Sequence, residues 1–244
     1  MKDNFSTHSA EYARYRPEYP QAFYNYLQSL VKHKQVAWDC GTGNGQVAYA
    51  LANFFDCVYA TDISASQLKH AKQHHQITYS CQAAEQTDFP DNFFDLIVVA
   101  QAIHWFNFNK FYAEAKRTLK DTGNIVIVGY GLITIDESID KILHNFYFNI
   151  IGPYWDKERK YIDDNYATIP FPFSELEAPK LHNQFDWTLD HLLGYLKTWS
   201  AVKHFIKARN YNPVEIIDED LMQHWGSAET KVVKFPILLR AGMK

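Results

Sequence analysis

The fold is decided by the stretch Trp38-Asp39-Cys40-Gly41-Thr42-Gly43-Asn44-Gly45-Gln46. Three of the ten glycines of the chain lie here within one five-residue window, where a short apolar run (residues 35–40) gives way to a helical pattern (residues 46–54). Glycine adopts backbone angles that other residues resist, and it lets a ligand approach the main chain closely. The stretch therefore predicts a strand, a ligand-binding glycine loop and a helix.

An acidic residue follows the loop at the distance that ribose binding requires. Asp62 comes directly after the next apolar run, residues 57–61. An acid about 20 residues beyond such a loop can accept hydrogen bonds from ribose hydroxyls. Taken alone, Asp62 could instead cap the helix that begins near Ser64. Together with the loop, it is better interpreted as a ribose-binding residue.

The spacing of the loop separates it from two other nucleotide-binding motifs. The dinucleotide fingerprint requires glycine at its sixth place, where this chain has Gln46. The sequence also lacks a phosphate loop that ends in Gly-Lys-Ser or Gly-Lys-Thr. Asp39, just before the loop, is poorly suited to a pyrophosphate but suits a ligand that carries an amino group.

The remaining pattern predicts an α/β fold. Apolar runs at 35–40, 57–61, 77–81, 94–100 and 124–130 alternate with helical patterns, which indicates a mostly parallel sheet covered on both faces. Beyond Gly131 we expect a helix over 136–151, a strand over 182–187, helices within 189–225 and a last strand over 231–239, in which Pro236 indicates a bulge or an edge. The prediction is a doubly wound, seven-stranded sheet in one domain, residues 1–244, with an N-terminal lid segment (1–20), a cofactor-binding core (33–130) and a helical cap inserted between the last two strands (189–225).

Composition excludes several classes of protein. The 244 residues carry a formal net charge of −4 and no run of basic residues, so we expect no nucleic-acid partner. Three cysteines at unrelated spacings form no disulfide framework. The N-terminus lacks the apolar segment of a secretory signal, and the longest apolar stretch, 125–135, is too short to span a bilayer. We therefore expect a cytoplasmic protein without a metal site, either a monomer or a homodimer.

Over most of its length the chain resembles the class I S-adenosylmethionine-dependent methyltransferases. The loop Asp39–Gly45, Asp62 and the segments 84–85 and 89–95 carry this resemblance. It implies S-adenosylmethionine as the cofactor. Many relatives have aspartate where this chain has Ala83, so the adenine contact must come from Glu85 or a backbone amide. The cofactor-binding residues so implied are Asp39, Gly41, Gly43, Gly45, Gln46, Asp62, Ala84, Glu85 and Gln101.

Within that class the segment Ala100-Gln-Ala-Ile-His-Trp-Phe106 is similar to the branch that includes trans-aconitate methyltransferases. The resemblance implies a small-molecule acceptor that is methylated on a carboxylate or hydroxyl oxygen. Since ligands bind outside the carboxyl ends of the strands in open α/β sheets, residues 101–106 should lie at the reacting end of the cofactor.

Candidate residues for the acceptor side come from this segment and from the N-terminus. His104 could be a general base or only a hydrogen-bond donor to an acceptor carboxylate. Tyr12, Tyr15, Arg16 and Tyr19 share one face of a predicted helix, which would place Tyr12 and Arg16 in a lid. Trp105 is expected to contact the acceptor. Two alternatives stay open at this point: a dinucleotide-dependent oxidoreductase and a non-catalytic cofactor-binding module.

Overall fold

The computed structural model describes Tyr15 and residues 17–244, so Tyr12 and Arg16 of the predicted lid lie outside the described residues. None of the helices described is long and apolar enough to cross a membrane. The helices are α1 (Gln21–Leu30), α2 (Gln46–Leu51), α3 (Ala65–Lys69), α4 (Phe108–Thr118), α5 (Glu137–Asn145), α6 (Lys160–Asp163), α7 (Leu189–Lys197), α8 (Ser200–Arg209) and α9 (Asp218–Trp225). The strands are β1 (Val36–Cys40), β2 (Cys57–Asp62), β3 (Ile77–Cys81), β4 (Phe94–Ala100), β5 (Leu119–Tyr130), β6 (Ser174–Leu176), β7 (His182–Trp187) and β8 (Lys231–Met243).

The strands form one mixed sheet in the order β3-β2-β1-β4-β5-β8-β6, with β7 also paired to β8. The first five strands are parallel, whereas β8 runs antiparallel to β5 and to both β6 and β7. The predicted doubly wound, mostly parallel sheet is therefore confirmed, but the described chain has eight strands rather than seven. The additional strand, β6, was missed because three residues in a proline-rich and aromatic stretch show no alternating pattern.

Alternate residues of the central strands face two separate apolar clusters. On β4, Leu96 and Val98 belong to one cluster, whereas Ile97 and Val99 belong to the other, and all four are fully buried. Burial on both faces explains why the central strands are continuously apolar in sequence. The strands are thereby held rigidly, and their carboxyl ends form a fixed edge for a binding site.

Several helices begin at a capping side chain but end earlier than the sequence predicts. Ser64 caps α3, since its hydroxyl accepts a hydrogen bond from the Gln67 amide. The helix expected over 136–151 ends at Asn145 and continues as a wider π turn, Phe146–Ile150. One-turn 3₁₀ segments follow at Gly152–Tyr154 and Lys157–Arg159. Hydrophobic periodicity cannot predict such short segments.

Pro236 lies at the predicted bulge. Tyr130 of β5 pairs with Ile237, but the next bridge joins Thr134 to Lys234, so the register differs by one residue across Pro236. Proline has no amide hydrogen to donate, and a bulge is one of the few places in a sheet where that is tolerated.

The helices within 189–225 share a core with the sheet. Leu192 of α7, Val202 of α8 and Leu221 of α9 are fully buried in the same cluster as Leu27 of α1 and Val126 of β5. The three helices connect β7 to β8, which pair with each other. The predicted cap is therefore packed onto the sheet as part of one hydrophobic core.

Replacing Phe235 tests this shared core. The ring is fully buried and lies 5.4 Å from Tyr130, 5.4 Å from Trp187 and 5.6 Å from Tyr195, centroid to centroid. Phe235→Ala should lower the free energy of unfolding in urea by about 3–5 kcal/mol and leave a single transition. On the same strand, Val232→Ala at an exposed position should change it by less than about 0.5 kcal/mol. Two separate transitions in Phe235→Ala, with only one shifted, would show that the cap unfolds independently.

Candidate active site

The glycine loop between β1 and α2 lines an open pocket at the carboxyl edge of the sheet. Gly41, Gly43 and Gly45 all have positive φ, between 56° and 76°. A Cβ on Gly41 would lie 2.6 Å from the Cβ of Ala102, and one on Gly45 would lie 2.2 Å from the Tyr79 hydroxyl. A Cβ on Gly43 would meet nothing within 4 Å, so glycine is needed there for its positive φ and not for lack of space.

Asp39 lies at the end of β1 with its carboxylate in the pocket wall. One oxygen, Oδ2, accepts hydrogen bonds from the Thr42 hydroxyl at 2.5 Å and from the Ala48 amide at 2.9 Å. The other, Oδ1, is buried and has no hydrogen-bond partner among the described residues. Burial raises the pKa of this carboxyl group to about 7. The unpartnered Oδ1 can receive a cationic group such as an ammonium, whose charge would favour the ionised carboxylate.

Asp62 connects the end of β2 to the loop. Its carboxylate accepts hydrogen bonds from the Gly43 amide at 2.9 Å and from the Ser64 amide at 2.8 Å, and the residue lines the pocket. Both interpretations that the sequence left open thus have a counterpart here, since Asp62 supports the turn into α3 and also faces the ligand space. Its contact with ribose stays a prediction.

Most of the other predicted cofactor residues lie together in this pocket. Gln46, Ala84 and Gln101 line it, and Gln101 has a φ of 53°, the left-handed region that non-glycine residues seldom adopt. Glu85 is not among the described lining residues, and its carboxylate accepts a hydrogen bond from the Asn107 amide at 2.9 Å. This bond supports the turn before α4, and the contact of Glu85 with adenine stays a prediction.

Sequence reasoning missed several lining residues. Gln82 stands next to Ala83, where relatives have the adenine-contacting acid, so its position was the available signal. Tyr130 ends β5 at the same edge as Gln101 and could have been found from the parallel arrangement. No sequence pattern marks Gln67 and Ile63 as lining residues, since their positions depend on how α3 packs after Asp62.

The described end of the N-terminal segment also reaches the pocket. Pro17 and Tyr19 line it, although residues 17–20 are not helical, so Tyr19 does not continue the predicted helical face. The Tyr15 ring packs 5.2 Å from that of His191 and sits on Gly194, where a Cβ would lie 2.4 Å from it. The segment therefore joins the pocket to helix α7.

His104 lies behind the pocket rather than in its lining. Trp105 lines the pocket, and the His104 ring packs 5.0 Å from it and 6.4 Å from Tyr166, centroid to centroid. Burial, together with the positive charge of Arg159, lowers the pKa of His104 to about 3. The imidazole is therefore neutral at neutral pH and a weak base, which favours the hydrogen-bonding role over general-base catalysis.

The described residues bring no group of His, Cys, Asp and Glu side chains together in a way that could hold a metal ion. What the pocket offers instead is a backbone cradle, two carboxylates and an aromatic wall. This combination suits a nucleoside that carries an amino acid, because the loop receives the ligand body and the carboxylates receive hydroxyl and ammonium groups.

The raised pKa of Asp39 predicts how pH affects the binding of S-adenosylhomocysteine, the demethylated form of the cofactor that the resemblance implies. The ammonium of the ligand favours the ionised carboxylate, so a protonated Asp39 must first lose its proton. Affinity measured by calorimetry should therefore rise about tenfold between about pH 6 and about pH 8. Asp39→Asn should bind more weakly at the upper pH and show no such rise. Asp56→Asn, an exposed acid outside the pocket, should retain it, and a pH-independent affinity of the wild-type protein would contradict the assignment.

Comparison with known proteins identifies the family. Residues 38–127 match the family described as a methyltransferase domain. A protein of Dictyostelium discoideum named as a methyltransferase is 35% identical over 245 residues, which cover 97% of this chain and 93% of that protein. The solved structure of a protein of Anaeromyxobacter dehalogenans, described as a type II methyltransferase, superposes with a TM-score of 0.87 at 37% identity and covers 93% of this chain and 97% of that one.

A more distant structure shares the fold and holds the demethylated cofactor. A phosphoethanolamine N-methyltransferase of Haemonchus contortus, solved with S-adenosylhomocysteine, matches with a TM-score of 0.51 at 18% identity, over 98% of this chain and 57% of that one. The glycine loop, the acids at the ends of β1 and β2 and these similarities agree. The chain belongs to the class I S-adenosylmethionine-dependent methyltransferases, and its cofactor is S-adenosylmethionine.

Proposed function

We propose that this methyltransferase acts on a small organic acceptor and methylates a carboxylate or hydroxyl oxygen, with the carboxylate favoured. The observation that carries the proposal is the lining of the pocket at the ends of β4 and β5. That lining consists of one amide and of apolar or aromatic side chains: Gln101, Ala100, Ala102, Trp105, Phe106 and Tyr130. No Lys, Arg or His is found among the described lining residues.

This lining supports a small oxygen acceptor over two other classes. An ammonium acceptor must lose a proton before it can attack, and the described lining at this end offers no carboxylate or imidazole as a base. A nucleic acid would need cationic side chains to neutralise its phosphates, whereas the chain has a net charge of −4. A carboxylate is already ionised at neutral pH and needs no base.

The residues present fit the cofactor. The unpartnered Asp39 Oδ1 suits the ammonium of the methionine part, and Asp62 suits the ribose hydroxyls. Gln82 and Ala84 line the side where the family resemblance places adenine. When bound, S-adenosylmethionine supplies a sulfonium methyl group that is already electrophilic.

The protein must therefore chiefly align the acceptor oxygen and exclude water. Trp105, Phe106 and Tyr130 supply aromatic walls at this end, and the Gln101 side chain donates to the Tyr130 carbonyl at 3.3 Å. A hydroxyl acceptor would also require a general base, and His104, with a pKa of about 3, is poorly suited to that role. This is why the proposal favours a carboxylate.

Alternative functions, oligomeric state, partners and cellular location follow from the family membership only in part. Membership of the methyltransferase family removes the alternatives of a dinucleotide-dependent oxidoreductase and a non-catalytic module. We keep as proposals that the protein is a monomer or homodimer, that it has no nucleic-acid partner and that it works in the cytoplasm. The trans-aconitate branch likewise stays a prediction.

His104→Gln separates the two oxygen acceptors. With a carboxylate acceptor, kcat/KM should fall only about twofold to fivefold, because a glutamine amide retains a hydrogen-bond donor, and the alkaline limb of the pH profile should stay flat. With a hydroxyl acceptor that depends on His104 as base, the loss should be roughly a hundredfold to ten-thousandfold. Transfer of labelled methyl groups from the cofactor to carboxylic acids, phenols and tRNA provides the measurement.

The exposed His182 offers a matched control on strand β7. His182→Gln should leave the rate and the pH profile of the wild-type enzyme unchanged. Methylation confined to tRNA or to amines would overturn the proposed acceptor class.

A further inference from the structure

A second group of polar side chains lies behind Trp105, which lines the pocket at the end of β4. His104 is the neighbour of Trp105, and its ring packs 6.4 Å from that of Tyr166, centroid to centroid. The Tyr166 hydroxyl rests on Gly129, where a Cβ would lie 2.4 Å from it, on the face of the sheet opposite to the side chain of Tyr130. Neither His104 nor Tyr166 is among the described lining residues, so both lie behind the place where the acceptor must lie.

Both residues carry a buried polar atom without a partner. Tyr166 is 0% exposed and His104 is 6% exposed, and neither the Tyr166 hydroxyl nor the His104 Nδ1 has a hydrogen-bond partner among the described residues. Leaving buried polar atoms unpaired is costly, so such atoms call for an explanation. Their position behind Trp105 offers one, namely a ligand that reaches them when Trp105 moves and completes their hydrogen bonds.

The backbone at Tyr166 is strained. Asn165 has a φ of 53° and Tyr166 a φ of 61°, so two successive non-glycine residues adopt the left-handed conformation. An amide hydrogen bond from Tyr166 to the Tyr161 carbonyl at 2.7 Å holds this turn. Strain of this kind concentrates at sites where a side chain must be presented in one orientation. Here the turn directs the Tyr166 hydroxyl to the end of β5.

Arg159 brings a positive charge to the same place. Its segment, Lys157–Arg159, packs against Ile103–Trp105, and its charge contributes to the lowered pKa of His104. The guanidinium is held by a hydrogen bond from Nε to the Tyr147 hydroxyl and lies 4.6 Å from the centre of the Trp155 ring. Nε also lies 3.7 Å from the Asp163 carboxylate, whereas the terminal nitrogens donate to no group in the described part of the chain. They remain able to form a bidentate pair with a carboxylate.

We propose that Tyr166, His104 and Arg159 form the acceptor subsite and that this subsite binds a carboxylate group of the acceptor. The inference rests on the proposed function and deepens it, because it names the residues that select the acceptor. The three groups are complementary to an anion. Burial holds the pKa of the Tyr166 hydroxyl well above its usual range, so it stays a donor, and a neutral His104 can donate one N–H. Arg159 supplies the charge.

Access to the subsite requires a local movement. Because the Tyr166 hydroxyl and the His104 Nδ1 are both buried, the acceptor must displace Trp105 or the segment Lys157–Arg159 to reach them. Both belong to single-turn 3₁₀ segments, which are held by few hydrogen bonds of their own. The Arg159 side chain is 20% exposed, so the path to it is already partly open.

The test measures acceptor binding directly, without turnover. Protein saturated with S-adenosylhomocysteine is titrated by calorimetry with benzoate, phenylacetate, succinate and trans-aconitate, and with the amide of each acid. At least one acid should bind at least about tenfold more tightly than its amide. For that acid, Tyr166→Phe and Arg159→Gln should each weaken binding about tenfold to a hundredfold. Both variants should keep the wild-type affinity for S-adenosylhomocysteine, which confirms that they fold.

Two variants provide matched controls. Tyr112 also has a buried hydroxyl without a described partner, but it packs among Phe108, Phe171 and Phe173, away from the pocket. Tyr112→Phe should leave acid binding unchanged. Arg209 contacts Tyr154 on the exposed face of α8, and Arg209→Gln should likewise have no effect.

The subsite is wrong if no acid binds, if acid and amide bind equally, or if Tyr166→Phe affects binding no more than Tyr112→Phe. The proposed function fails differently. If the acids bind through these residues but labelled methyl groups pass only to amines or tRNA, the subsite stands and the oxygen acceptor is refuted. If the acids are methylated and Tyr166→Phe and Arg159→Gln leave KM unchanged, the function stands and the subsite is refuted.

Discussion

The attachment of the glycine loop to the end of β2 is the constraint on which the rest of the site depends. The Gly41 and Thr42 amides donate to the Thr61 carbonyl, and the Gly43 amide donates to the Asp62 carboxylate. These bonds require the positive φ angles that the loop glycines supply. Because β1 and β2 are buried parallel neighbours, the loop cannot shift relative to Asp62 without disturbing the sheet. The cofactor pocket is thus built by the packing of the fold.

Small residues also let the elements around the carboxyl edge of the sheet pack closely together. Gly41 lies against Ala102 at the end of β4, and the Tyr166 hydroxyl packs against Gly129 near the end of β5. A side chain at either glycine would push apart the elements that must meet at the reacting end. The segment that follows β5 can therefore fold back over the sheet, so that Tyr166 packs on Gly129 and Lys157–Arg159 packs against Ile103–Trp105.

The parts that could be predicted from sequence are those that local chemistry controls. Strands buried on both faces are continuously apolar, so the sequence predicts the core of the fold. Positions that need positive φ favour glycine, so the sequence also predicts the loop. The hydrogen bond between Glu85 and the Asn107 amide could not be predicted, because the two residues are distant in sequence. His104 shows the same limit, since its ring packs near Tyr166 and the charge of Arg159 lowers its pKa. No pattern along the chain reports such long-range packing.

The most direct measurement of the central claim is a crystal structure with S-adenosylhomocysteine. The account predicts the ligand against Gly41–Gly45, with its ribose hydroxyls bound by the Asp62 carboxylate and its ammonium beside the Asp39 oxygen that now has no described partner. The sulfur should point towards Gln101 and Trp105. Electron density for the ligand elsewhere, or a ribose that does not contact Asp62, would contradict the account.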